Sequence, residues 1–197
     1  MSSTPISCAR SLRLLSDSCA IERAVTAGDI NRMHLARGFR EIGYHYFIRR
    51  DGTVETGRDL SQPGRFETGA HSQGENGESV GICYEGGVTL DDRTTGRDTR
   101  TPAQTAAMIG LIRDLLRRFP DAKVEGHRDM PFAATQCPGF DGAAWWASVV
   151  ADAAGSGAGA VGPDPDRDVM PADDEVQRLR WRLAEIRDRA VAALDGL

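Results

Sequence analysis

The stretch GHRDMPFAATQCPGFD, residues 126–141, decides how this chain is interpreted. It places His127 and Cys137 ten positions apart, with the histidine at the end of a short predicted strand and the cysteine followed by Pro-Gly-Phe. An imidazole at a strand end and a thiol that returns in the next loop can converge on one metal ion. Buried free cysteines are common, however, so the pair alone favours a structural histidine and a buried thiol.

The segments before this stretch alternate between strand and helix patterns. The Asp51-Gly52 turn within GYHYFIRRDGTVETGR predicts a β-hairpin. The apolar run SVGICYEGG predicts a buried central strand that carries Cys83 as a buried thiol. AKVEGH is a further short strand. The chain therefore supplies at least four strands for one sheet.

Helices separate these strands. Thr26 with Asp29 forms a predicted capping box that opens a helix ending at Gly38. Thr101 with Gln104 forms a second capping box, which opens a helix that Pro120 stops. DGAAWWASVV is a closing helix. This order predicts an α/β fold with a mixed central β-sheet flanked by helices.

Composition excludes several classes of function. The chain has 197 residues and a net charge of −5, which gives no reason to expect a nucleic-acid partner. No run of about 18 apolar residues occurs, so we expect no membrane-spanning helix. Arg10 and Arg13 interrupt the N-terminal apolar residues, which argues against a secretory signal. The expected location is therefore cytoplasmic until some other device releases the protein.

The chain divides into four segments by composition. Residues 1–23 are an atypical segment, a mixture of Ser, Arg, Leu and Cys without a strand period. Residues 24–150 carry the helix and strand patterns of the folded domain. Residues 151–174 are rich in Gly, Ala, Pro and Asp and predict a flexible linker. Residues 175–197 predict an amphipathic helix, which docks on the domain, associates with a second copy or binds an anionic surface.

The histidines outside the stretch have different predicted environments. His34 lies within the first helix and is expected at the surface or its boundary. His45 alternates with two tyrosines on the hairpin strand and is expected to be packed and hydrogen-bonded. His71 lies in a loop, where polar side chains more often bind ligands than fill a core.

Taken together, four motifs resemble one family. GYHYFIRRDGTVETGR, GAHSQGENGESVGI, TPAQ and GHRDMPFAATQCPGFD are similar in order and spacing to the zinc-dependent N-acetylmuramoyl-L-alanine amidases. Phage lysozyme-type amidases and peptidoglycan recognition proteins share this fold. The resemblance implies a peptidoglycan hydrolase of the phage endolysin type. Such an enzyme cuts the bond between N-acetylmuramic acid and the L-alanine of the stem peptide, with Zn²⁺ as cofactor.

The resemblance also implies roles for individual residues. His127 and Cys137 match two zinc ligands of the family. Tyr44 matches the active-site tyrosine that hydrogen-bonds the attacking water or the developing oxyanion, and Thr135 falls where the family contacts the scissile carbonyl. His71 and Asn76 fall in the loop of the substrate groove, as expected substrate contacts.

The family's first zinc histidine has no counterpart in this chain, which contains no histidine before His34. Three interpretations stay open from the sequence. Asp17 or a rearranged group completes a working site, because aspartate can ligate zinc. Alternatively, the domain binds peptidoglycan without hydrolysing it. In the third, the first twenty or so residues are not the natural ones, for instance through a frameshift.

Overall fold

The computed structural model describes residues 11–17, 24–61, 65–131 and 133–155. These residues form five strands and three α-helices, with two short 3₁₀ turns at Asn76–Glu78 and His127–Asp129. The elements are β1 (Ser11–Asp17), α1 (Ala27–Ala36), β2 (Tyr46–Ile48), β3 (Val54–Thr56), β4 (Ser79–Glu85), α2 (Pro102–Arg118), β5 (Lys123–Gly126) and α3 (Gly142–Gly155).

The five strands form one sheet in the order β3-β2-β4-β1-β5. β1 runs parallel to both of its neighbours, β4 and β5, and β2 is parallel to β4. Only the hairpin partner β3 is antiparallel, to β2. The mixed sheet and its helices confirm the predicted fold class. The carboxyl ends of β1, β2, β4 and β5 therefore meet at one edge, where ligand sites of such sheets usually lie.

The prediction that the N-terminal segment lacks a strand period was wrong. Ser11–Asp17 forms β1, which lies between β4 and β5 and pairs with β4 along all seven of its residues. Leu12 and Leu14 are 0% exposed in the core on one face of the sheet. Arg13 lies between them on the other face, where it contacts Glu125. The strand period is short, and the surrounding serines and arginines obscure it in the sequence.

The sheet has a different apolar cluster on each face. The larger one contains buried side chains of β1, β4 and α2, among them Leu12, Ile82 and Met108. The smaller cluster, called here the α1-side cluster, consists of Val25, Ala27, Ile30, Ile42, Phe47 and Cys83. Cys83 is 0% exposed, which confirms the predicted buried thiol. Burial of these side chains, not local propensity, provides most of the driving force for the fold.

Both predicted capping boxes are present. The Thr26 side chain accepts from the Asp29 N–H at 3.1 Å, and that of Thr101 accepts from the Gln104 N–H at 3.0 Å. α1 ends at Ala36, two residues before the predicted stop. Among the helices within the described ranges, none combines the length and apolar character needed to span a membrane.

The last helix is longer than predicted. α3 continues to Gly155, so the first five residues assigned to the linker are helical. A compact unit ends at Ala154, close to the expected domain boundary. The rest of the predicted linker and the predicted helix over residues 175–197 lie outside the described residues.

Candidate active site at the carboxyl edge of the sheet

The loop that follows β5 brings His127 and Cys137 together. His127 opens a 3₁₀ turn directly after the strand, and the Arg128 N–H donates to the Cys137 carbonyl at 2.7 Å. The Asp129 carboxylate accepts from the Gly126 N–H at 2.9 Å and fixes the start of this turn. The backbone therefore returns beside His127 after ten residues, as the spacing predicted.

Three contacts from outside hold the returning segment. The Tyr84 hydroxyl donates to the Pro138 carbonyl at 2.6 Å. The Gly96 N–H donates to the side-chain oxygen of Gln136 at 2.9 Å. The guanidinium carbon of Arg100 lies 3.5 Å from the ring centroid of Phe140. The Cys137 loop is thus tied to the sheet, to the loop after β4 and to a stacked arginine.

Tyr44 packs against the same apolar cluster as Cys137. Both Tyr44 and Cys137 are half-buried and pack against that cluster. The Tyr44 carbonyl accepts from the Arg58 N–H at 2.9 Å, which fixes the backbone before β2. The structure therefore places the two side chains on the same face of the sheet.

His34 supports Tyr44 from α1. Its ring lies edge-on to the Tyr44 ring at a centroid distance of 5.3 Å, and its Nδ1 accepts from the Gly43 N–H at 2.9 Å. His34 is only 4% exposed, so the expected surface position was wrong. This polar partner is a backbone amide that follows nine residues later in the chain. Helix periodicity gave no sign of that contact.

Thr135 lies two residues before Cys137. Its hydroxyl oxygen accepts from the Cys137 N–H at 3.1 Å. A threonine hydroxyl that accepts one hydrogen bond still has its own hydrogen to donate. The contact orders Thr135 next to the thiol and leaves this donor function intact.

His45 is buried and fully hydrogen-bonded, which confirms its predicted environment. Its Nδ1 accepts from the Gly81 N–H at 2.9 Å, and its Nε2 donates to the Glu67 carbonyl at 2.7 Å. The ring thus accepts a hydrogen bond from the backbone of β4, as a main-chain carbonyl of a neighbouring strand would. Burial lowers the pKa of His45 from 6.5 to about 4, because the protonated ring would be a cation without contact with water.

His71 and Asn76 form the loop before β4. The Asn76 side-chain oxygen accepts from the His71 and Ser72 N–H groups, each at 2.8 Å. The His71 ring lies on Gly81, where an added Cβ would be 2.5 Å from its Cδ2. Burial, followed by the positive charge of a protonated His45, lowers the pKa of His71 from 6.5 to about 3. Asn76 is therefore a loop-ordering residue, and the neutral His71 ring borders the site.

Sequence reasoning missed Arg13, which is 4% exposed and lies on the face of the sheet opposite Leu12 and Leu14. Its Nη1 donates to Glu125 at 2.6 Å, and its Nη2 lies 3.7 Å from Glu75. Arg13 thus links β5, just before His127, to the loop that carries His71. Burial and, secondarily, this positive charge lower the pKa of His127. The alternation Leu12-Arg13-Leu14 is the available signal for a strand with a buried polar face, whereas Arg13 is interpreted from the sequence only as an interruption of an apolar run.

The comparisons with known proteins agree with this geometry. The sequence model of the N-acetylmuramoyl-L-alanine amidase family matches residues 15–140. The chain belongs to this family. The match begins within β1 and ends just after the Cys137 loop. It confirms the predicted family and, with it, the predicted enzyme class.

Relatives of this amidase include two phage endolysins. The chain is 36% identical over 118 residues to the endolysin of Enterobacteria phage T3, covering 60% of this chain and 72% of the endolysin. It is 38% identical over 117 residues to that of Enterobacteria phage K11, covering 59% and 72%. Among solved structures, the amidase LysC from Clostridium intestinale superposes with a TM-score of 0.55 at 27% identity, covering 73% of this chain and 85% of LysC.

The donor set of the amidase is incomplete among the described residues. A catalytic zinc needs three protein ligands and one open position. Within the described ranges, no three His, Cys, Asp or Glu side chains are grouped so that they could hold a metal ion. Asp17 is the last residue of β1, and its side chain lies outside the description. His127 and Cys137 therefore fit as two donors, and the third is not supplied by a described side chain.

Proposed function

We propose that this amidase acts on peptidoglycan and hydrolyses the amide between N-acetylmuramic acid and the L-alanine of the stem peptide. The observation that carries the proposal is the return of Cys137 beside His127, on the face of the sheet that also holds Tyr44. The match to endolysins over most of their length supports the same substrate class.

We propose Zn²⁺ as the cofactor, with His127 and Cys137 as two of its ligands. A neutral imidazole and a thiolate suit zinc, and burial lowers the pKa of His127, which favours the neutral form that ligation needs. Two donors do not complete a catalytic site. Stable metal loading therefore requires a third protein ligand.

Tyr44 and Thr135 are the proposed catalytic side chains. Thr135 lies in the Cys137 loop, and Tyr44 packs against the same cluster as Cys137. Each has a hydroxyl that can donate to oxygen as negative charge develops on a scissile carbonyl. Thr135 is already ordered by the Cys137 amide, which reduces the entropy lost when it engages substrate.

His71 and Asn76 are the proposed substrate contacts. Within the described residues, neither ring nitrogen of His71 has a partner with hydrogen-bond geometry, although its side chain is buried. A neutral imidazole offers one donor and one acceptor, which matches the N–H and C=O of an amide. Asn76 would act mainly by holding the backbone of that loop in place.

A second function is favoured by the incomplete donor set. A chain that keeps the fold and two metal ligands can bind peptidoglycan without cutting it. Hydrolysis and binding therefore need separate measurements.

The test is digestion of purified murein in the presence of added zinc. We expect release of stem peptides with a free L-alanine amino group, and loss of release in the matched variants Cys137→Ser and Tyr44→Phe. Murein that sediments with the protein but releases no peptide, even with zinc in excess, would refute the amidase proposal and support the binding function.

Location and assembly are two further parts of the proposal. We infer that the protein stays in the cytoplasm until it is released, and then acts on the bacterial cell wall. Residues 175–197 are the proposed site of self-association. Deleting them should increase the elution volume by more than the lost mass explains, and an unchanged oligomeric state would exclude that role.

A further inference from the structure

We propose that Arg13 is a positioning residue for substrate binding, because its guanidinium group joins the loop that carries His71 to the strand that leads to His127. The inference rests on the proposed function, in which His71 contacts the substrate. It assigns a role to a buried charge that the proposed function leaves unused.

The pairing of β1 with its two neighbours places Arg13 beside both segments. Arg13 is paired with Glu125 on β5 and with Gly81 on β4. Paired residues of neighbouring strands point to the same face of a sheet, as Leu12 and its β4 partner Val80 do in the larger core. Arg13 and Glu125 therefore share the opposite face with the open side of Gly81.

The His71 ring fills the space that a side chain at position 81 would occupy. A Cβ added to Gly81 would lie 2.5 Å from Cδ2 and 2.9 Å from Nε2 of His71. Both His71 and Arg13 are buried. The ring and the Arg13 side chain are therefore neighbours on one face, across the pairing of β1 with β4.

The Arg13 guanidinium contacts a carboxylate on each side. Its Nη1 donates to Glu125 at 2.6 Å, and its Nη2 lies 3.7 Å from Glu75. Arginine can make two such contacts at once, because its planar group carries several N–H donors in a fixed geometry. Glu75 belongs to the loop of His71, and Glu125 lies two residues before His127. One side chain thus joins the two segments.

The position of the His71 ring depends on the backbone of its loop. Among the residues that the structure describes, neither ring nitrogen of His71 has a hydrogen-bond partner. The main chain and packing therefore hold the ring. The His71 N–H donates to Asn76, and the Glu75 N–H donates to the Ser72 carbonyl at 3.1 Å in the same turn. A contact that fixes Glu75 therefore also fixes the backbone that carries His71.

Stability alone does not account for a charge at this position. Removing a guanidinium from water carries a desolvation cost, and apolar side chains often replace a buried ion pair without loss of stability. Hydrogen bonds between charged groups have a defined geometry, which apolar contacts lack. The contacts of Arg13 are therefore suited to placing the His71 loop relative to β5.

The experiment compares wild type with Glu75→Gln and its matched control Glu125→Gln. Cosedimentation with purified murein measures binding, and urea denaturation measures stability. We expect Glu75→Gln to weaken murein binding about 5-fold and Glu125→Gln less than about 2-fold, because only Glu75 lies in the His71 loop. Glu125→Gln should nevertheless be the less stable variant, since Glu125 lies closer to Arg13. Binding and stability should thus rank the two carboxylates in opposite orders.

Arg13→Met removes both contacts and should weaken murein binding about 10-fold or more. In digestion of soluble murein fragments, Arg13→Met and Glu75→Gln should raise KM by factors similar to those for binding. Their kcat should stay within about 2-fold of wild type, as expected when substrate binding alone is lost. The Glu75 side chain is 38% exposed, so Glu75→Gln tests the inference even if Arg13→Met does not fold.

Amide hydrogen exchange tests the positioning role without murein. The His71 and Ser72 N–H groups both donate to Asn76, so their exchange rates report on the order of the loop. Exchange at both amides should be at least about 3-fold faster in Arg13→Met and Glu75→Gln, and unchanged in Glu125→Gln.

The inference is overturned by either of two results. One is murein binding that falls in the same order as stability. The other is exchange at His71 and Ser72 that is as slow in Glu75→Gln as in wild type. If wild type neither binds nor digests murein while the exchange rates change as expected, the proposed function fails and the link between Arg13 and the His71 loop stands.

Discussion

The two sides of the candidate site differ in how completely they are built. The β5 side consists of the His127–Cys137 loop, with a backbone hydrogen bond across its base and outside support from Tyr84 and Arg100. The β1 side has an intact strand in the middle of the sheet, yet no described donor for a metal. The formation of a strand and the presence of a metal ligand on it are therefore independent of each other.

The reason lies in what each property demands. β1 is held by main-chain pairing with two neighbours and by burial of Leu12 and Leu14, which many apolar residues can provide. A ligand requires one kind of side chain at one position. The structure of the β1 side therefore does not depend on a metal ligand, whereas the β5 side holds His127 and Cys137 in the same loop that its hydrogen bonds order.

The largest effect is expected from a substitution that strains the backbone of the β5 side. Gly139 has φ +89°, and a Cβ there would overlap the Arg97 carbonyl oxygen. Gly139→Ala should lower the free energy of unfolding by about 3 kcal/mol or more. Gly38→Ala is the control, because Gly38 has φ +86° but nothing within 4 Å of the added Cβ. Urea denaturation measures both, and equal losses would show that the Arg97 contact is unimportant.

Acid should lower the free energy of unfolding through the buried His45. The pKa of His45 is lowered from 6.5 to about 4 in the folded protein. Between these two pH values the unfolded chain binds a proton at His45 and the folded chain does not. Stability is complete above pH 6.5 and falls as the pH drops toward 4. We expect a loss of about 2 kcal/mol from His45 between pH 7.5 and 5.

The acid effect is checked by denaturation at each pH. His71 titrates in the same direction, so its contribution remains when His45 is replaced. His45→Asn should therefore flatten the pH dependence only in part. A pH dependence in this variant as steep as that of wild type would contradict the assignment to His45.

The third test loosens the β1 side. Glu125→Gln removes the charged partner of the buried Arg13 and should cost about 1.5 kcal/mol, because hydrogen bonds between charged groups exceed neutral ones. Glu75→Gln should cost less, since Glu75 lies farther from Arg13 at 3.7 Å. Thermal unfolding of both variants ranks the two carboxylates, and the reverse order would refute this account of Arg13.

The smallest effect is expected from Tyr84→Phe on the β5 side. It removes the hydroxyl that donates to Pro138 and should cost about 1 kcal/mol. Alkylation of Cys137 should become faster because its loop is less constrained, while the fully buried Cys83 serves as an internal control. Equal acceleration at both thiols would indicate general loosening rather than release of the loop.

Features that depend on neighbours in the sequence were predictable. The capping boxes at Thr26 and Thr101 and the turn at Asp51-Gly52 each depend on a few adjacent residues, and all three are present. The pairing of His127 with Cys137 was also accessible, because ten residues of turn-rich loop can return to a strand end. Tyr44, Thr135, His71 and Asn76 stay predictions as catalytic or substrate-binding residues.

Features that depend on distant residues were not predictable. His34 is buried by a bond to Gly43 and by contact with Tyr44, neither of which a helix pattern reveals. β1 was missed because its burial comes from β4 and β5, which lie more than sixty residues later.

The sequence by itself determined the family, the order of the elements after β1 and the loop that returns Cys137 to the end of β5, since each depends on a local motif. Only the tertiary structure decided that Ser11–Asp17 is a strand and that it lies between β4 and β5. Parallel strands far apart in the chain align by their shared hydrogen bonds and buried faces, and a shift of one residue moves every side chain to the other face. The pairing of Ser11–Asp17 with β4 and β5 therefore cannot be predicted from any local pattern.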